Sequence, residues 1–139
     1  MKEKYKKFIE DNLQKLNMAV DSLGKATQMQ TWNEFELAGI GSYLSNIYNS
    51  YESILKTLLE DRGIKIDKGE QWHRDLLNKA EEEGLIPNIS DTLDKMLSFR
   101  HMQRYSFSFE LIEDTIKKAA LEVIKSHPIF EKHIQDLLV

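Results

Sequence analysis

The sequence predicts an all-α fold, an up-and-down bundle of about five to six helices, and three observations carry that prediction. Only two prolines, Pro87 and Pro128, interrupt 139 residues. Apolar residues recur at alternating spacings of three and four over long stretches, the period of a helix that buries one face. Strand-like alternation is confined to the brief pair Ile64 and Ile66.

The first helix is predicted from about Lys2 to Gln28, on the stripe Ile9, Leu13, Leu16, Val20 and Leu23. Thr31-Trp32-Asn33-Glu34 reads as a capping box, because a Thr and a Glu three apart can each satisfy a free backbone N–H. The helix it opens carries Leu44, Ile47, Tyr51, Ile54 and Leu58, and stops at Gly63. A loop follows, turning at Asp67-Lys68-Gly69. A short helix from about Gln71 to Glu83 buries Trp72, Leu76 and Ala80 and ends at Gly84. Ser90 is the expected N-cap of the next helix, with Asp91 in its first turn, and Phe107-Ser108-Phe109 the expected hinge after it. A helix on Ile112, Ile116, Ala119 and Val123 then runs from Glu110 to Lys125. Ser126-His127-Pro128 is predicted to break it, Pro128 opening a last short helix with Phe130, Ile134 and Leu137.

Length and composition point to one domain over residues 1–139, with 41% apolar and 30% charged residues. A net charge of −4 gives no general attraction to nucleic acid or to an anionic membrane, so such a contact needs a local patch. Cysteine is absent, which removes disulfides, thiolate metal sites and a thiol nucleophile. No apolar run approaches the ~20 residues that span a bilayer, and the basic residues at the start have no apolar run behind them. The expectation is a cytoplasmic protein without a membrane segment.

The stretch Leu93 to Tyr105 breaks the pattern. At ~100° per residue, Leu93, Leu97, Arg100 and Arg104 fall within about 60° of one another, with Met96 alongside. Two guanidinium groups that cannot lose their charge thus extend an apolar stripe, which is costly unless they meet an anion, a carboxylate or a wet cleft. Three readings are open: an ion-pair network with acids of a neighbouring helix, a helix–helix dimer interface, or anion recognition. In the last, two arginines spaced i,i+4 grip phosphate oxygens, and His101 and Tyr105 supply hydrogen-bonding or proton-transfer groups.

The four histidines, His73, His101, His127 and His133, form no pair at metal-ligating helical spacing, so no metal or other cofactor is expected. His127 and His133 are expected at the surface. In Trp72-His73-Arg74-Asp75-Leu76-Leu77 the tryptophan reads as a core anchor, and His73 as its polar neighbour or as a group lining a cleft with the arginine helix.

Gly69-Glu70-Gln71-Trp72-His73-Arg74-Asp75-Leu76-Leu77, then Leu97-Ser98-Phe99-Arg100-His101-Met102-Gln103-Arg104, then Phe130-Glu131, resemble HepT-like proteins of the HEPN superfamily over about residues 35 to 139. The resemblance implies a helical bundle that forms a homodimer, and an RNA-cleaving toxin paired with a nucleotidyltransferase-type antitoxin. It implies metal-independent chemistry through an Arg-x4-6-His motif at the dimer cleft, the arginine stabilising the phosphate transition state and the histidine moving a proton. By position Arg100 matches the motif arginine, and His101 and Arg104 match the basic residues around it. The histidine slot holds Tyr105, and the slot for a following tyrosine holds Phe107. Tyrosine, with a reference pKa near 10, is a poor general base at neutral pH. The resemblance therefore implies either a metal-independent ribonuclease or a degenerate derivative; the alternative is a non-catalytic helical dimer binding a nucleotidyltransferase partner or RNA. The candidate catalytic residues are Arg100, His101, Arg104 and Tyr105, with Arg100, Arg104 and His73 as candidate phosphate ligands.

Overall fold

The computed structural model describes residues 1–29, 31–105 and 109–139, and the side chains of 1–29, 31–99 and 113–139. Among the described residues five helices follow in order: α1 (Glu3–Thr27), α2 (Glu34–Asp61), α3 (Trp72–Glu82), α4 (Ser90–Tyr105) and α5 (Phe109–Leu138). The all-α prediction holds.

The α1 stripe packs as predicted, with Ile9, Leu16 and Leu23 almost fully buried against α2 and α5. Helix α2 touches all four other helices and is correspondingly apolar on more than one face, burying Leu44, Ile47, Ile54, Leu55 and Leu59. Each such side chain removed from water contributes about 1.5–3 kcal/mol, so α2 is the post around which the bundle is assembled. It ends just before Gly63, and α3 just before Gly84, with φ of 75° and 71° at the two glycines. Those left-handed conformations are open to glycine and strained for side chains with a Cβ, which is why both stops were readable.

Four local expectations are corrected. The capping box of α2 is Asn33 with Glu36, not Thr31 with Glu34: Asn33 Oδ1 accepts from the Glu36 N–H at 2.8 Å and Glu36 Oε1 from the Asn33 N–H at 2.9 Å. Trp32, buried just before the cap, donates its indole N–H to the Ala26 carbonyl and so decides where the chain turns. Ser90 is already helical, since the Leu93 N–H bonds the Ile89 carbonyl, and its hydroxyl reaches Glu81 instead. Trp72 is half-buried rather than a core anchor. Lastly, no break occurs at Ser126-His127-Pro128, and α5 is one helix with Pro128 inside it. Proline in a helix interior costs about 3 kcal/mol. The stripe Ile116, Ala120, Val123, His127, Phe130 and Ile134 is buried on both sides of it, and at about 1.5–3 kcal/mol for each large apolar member that burial outweighs the proline.

His127 belongs to this stripe and is 5% exposed, against the expectation of a surface position. Burial lowers its pKa below the ordinary histidine value, only partly opposed by the Glu131 carboxylate. Its Nε2 lies 2.6 Å from Asn17 Oδ1, which can only accept, so Nε2 donates and Nδ1 accepts from the Tyr51 hydroxyl at 2.9 Å. Asn17 in turn donates to Glu131 at 3.0 Å. One chain of hydrogen bonds thus joins α1, α2 and α5, and burial raises the Tyr51 pKa so that the phenol keeps its proton. His133 is half-buried and bonds the Gly84 carbonyl at 3.0 Å.

Candidate functional site around helix α4

Two polar contacts fix α3 beside α2. The Arg62 side chain, at the end of α2, donates to the Glu83 carbonyl at 3.0 Å, and His73 at the start of α3 meets Glu52. The two helices therefore run in the same direction. Helix α4 returns in the opposite one, because Ser90 meets Glu81 near the end of α3 while Asp94 pairs with Arg74 near its start. The turns of α4 after Asp94 travel back along α2, against which the helix packs.

The buried face of α4 is centred on Thr92, Leu93, Met96 and Phe99, each under 7% exposed, while Leu97 is only half-buried. The expected line through Leu93 and Leu97 thus runs along one edge of the packed face rather than its middle. Helix α4 continues unbroken through Tyr105, so Arg100 and Arg104 keep the i,i+4 relation on which the sequence argument rests. The side chains of Arg100, His101, Arg104 and Tyr105 lie outside the described residues, and so do residues 106–108, which include Phe107 and most of the expected hinge.

His73 is described fully. Its Nδ1 lies 2.5 Å from Glu52 Oε2, and Glu52 is a carboxylate on α2 with only 5% of its surface exposed. A carboxylate accepts only, so Nδ1 carries the hydrogen, and in the neutral ring the Nε2 lone pair has no partner among the described residues. The imidazole lies against the Trp72 ring at a centroid distance of 3.8 Å, with Lys68 6.0 Å from the same ring. About a quarter of the His73 side chain reaches solvent. Glu52 was missed in the sequence. The available signal was its position one helical turn after Tyr48 and next to the stripe residue Tyr51, an acid on a helix that is apolar on more than one face.

On the other side of α4, against α5, lies a groove of about 570 Å³ floored by Phe99, Ala119 and Leu121, with the Lys95–Glu122 ion pair across it. Among the described residues no cluster of histidine and carboxylate side chains is arranged to hold a metal ion, and no helix is long and apolar enough to cross a membrane.

Residues 39–138 match the family model described as HepT-like protein. The chain belongs to the HepT-like family of the HEPN superfamily. No curated protein matches it significantly. The match spans all of α3, α4 and α5 and most of α2, and so includes the three resembling stretches, the Glu52–His73 pair and the arginines of α4. Helix α1 precedes the segment that carries the HepT-like match.

Proposed function

We propose that this HepT-like protein acts on RNA as the toxin of a toxin–antitoxin pair, cleaving the phosphodiester backbone without a metal ion. The observation that carries the reading is the pair Arg100 and Arg104, one turn apart on a helix that runs unbroken to Tyr105 within the family-matched segment. Side chains at this spacing project from neighbouring points about 5–6 Å apart. Two permanent cations so placed suit the oxygens of a phosphodiester, whose negative charge grows in the transition state. In this reading Arg100 stabilises that charge, Arg104 binds phosphate, His73 stands by the same cleft, and His101 and Tyr105 hydrogen-bond to the reacting group. The protein works as a cytoplasmic homodimer, its cleft shared between two copies, restrained by a nucleotidyltransferase-type antitoxin.

The test is cleavage of labelled RNA by the purified protein in EDTA. Arg100→Ala is expected to reduce the rate by about 10²–10³-fold, the effect of losing one preorganised transition-state donor. A dimer that leaves diverse RNAs intact with EDTA absent or present contradicts the reading. Tyr105 in the histidine slot favours one alternative, a non-catalytic dimer that binds RNA or the nucleotidyltransferase partner. Gain of cleavage by Tyr105→His together with an inactive wild type would support that alternative.

A further inference from the structure

We infer that His73, held through Nδ1 by Glu52, is the general base of the RNA-cleaving site and supplies the imidazole that Tyr105 does not. The inference rests on the RNA-directed reading above and adds to it a catalytic residue and a positioning residue.

Three observations carry it. A carboxylate as buried as Glu52 is expensive unless it is hydrogen-bonded, and it meets the His73 ring at 2.5 Å. That bond commits Nδ1, and the Trp72 ring covers one face of the imidazole, so its tautomer and its plane are both set. Nε2 has no partner among the described residues, on a side chain that reaches solvent. The pair also stands beside the right helix. Arg74, next to His73, pairs with Asp94 of α4, and Arg100 follows Asp94 by six residues, about 9 Å of helix rise.

The step balances without a co-reactant. His73 Nε2 takes the proton of a ribose 2′-OH, and O2′ forms a bond to phosphorus as the P–O5′ bond breaks. O5′ takes up a proton from solvent, and the imidazolium returns its own to solvent. The products are a 2′,3′-cyclic phosphate and a 5′-hydroxyl. Glu52 stabilises the imidazolium while it exists, and the arginines of α4 stabilise the charge on the non-bridging oxygens.

The experiment measures cleavage of a pool of short RNAs covering all dinucleotide steps by the full chain in EDTA, across pH, with RNA binding and thermal unfolding read on the same samples. Wild type is expected to release cyclic-phosphate ends with a rate that falls on the acidic side. His73→Gln should slow cleavage by about 10²-fold or more, keep RNA binding, and abolish the acidic limb, which a merely structural role would leave in place. Glu52→Gln should lower kcat about tenfold with KM unchanged; if that variant does not fold, His73→Gln decides alone. A His73→Gln protein that cleaves at the wild-type rate with the acidic limb intact, while Arg100→Ala is inactive, overturns this assignment and leaves the RNA-cleaving reading standing. A wild type that binds RNA and leaves it whole overturns both.

Discussion

His127 and His73 are both histidines bonded to side chains of other helices, and they differ in what remains of the ring. At His127 both nitrogens are used, one by Tyr51 and one by Asn17, and the ring is 5% exposed within the α5 stripe. At His73 one nitrogen is used by Glu52, and the side chain is a quarter exposed beside the start of α3. A ring with both nitrogens satisfied inside a core can only hold helices together, because any proton it gains must displace a bond. A ring with one nitrogen fixed and the other uncommitted is oriented without being consumed. The difference separates a structural histidine from one able to do chemistry, and it can be tested from both ends.

The largest expected effect on stability is at the core end. His127→Ala opens a cavity, strands the buried Tyr51 hydroxyl at a cost of about 1–3 kcal/mol, and takes the donor from the half-buried Asn17 Oδ1. A loss on the order of 3 kcal/mol in urea unfolding is expected, while His73→Gln should lose less than about 1 kcal/mol. Equal losses would erase the contrast. The next effect is pH dependence. Burial holds the folded-state pKa of His127 below the unfolded value of about 6.5. Its contribution is therefore complete above that pH and lost as pH falls through the lower folded-state pKa. Thermal unfolding followed on the acid side should show a falling melting temperature, with a shallower slope in His127→Gln. The smallest effect is at the Arg74–Asp94 pair, about 40% and 45% exposed. Arg74→Ala should cost less than about 1 kcal/mol, and less still in high salt.

The same comparison explains what was legible in the sequence. Helices α1 and α3 were readable because their stripes are regular and the positive-φ glycines Gly63 and Gly84 stop α2 and α3. The α5 stripe was equally regular. The residue types His127 and Pro128 overrode it, although periodicity had already placed position 127 inward. What makes a histidine tolerable there is Asn17, 110 residues away, and Tyr51, 76 away. Glu52 was hidden for the same reason, since its partner lies 21 residues on, in another helix. Helical period tells which positions face inward. It does not tell which polar groups meet there. At the candidate site, Arg100 and Arg104 stood out because a fixed charge on an apolar stripe breaks a rule within a single helix, whereas the Glu52–His73 pair exists only between helices.

The rate of RNA cleavage in EDTA, per folded molecule, for His73→Gln beside His127→Gln separates the two histidines. His73→Gln is expected to fold as wild type does and to lose cleavage by about 10²-fold or more, while His127→Gln is less stable and cleaves at the wild-type rate once corrected for the folded fraction. Full activity in His73→Gln, or an equal loss in both variants, would contradict a catalytic His73.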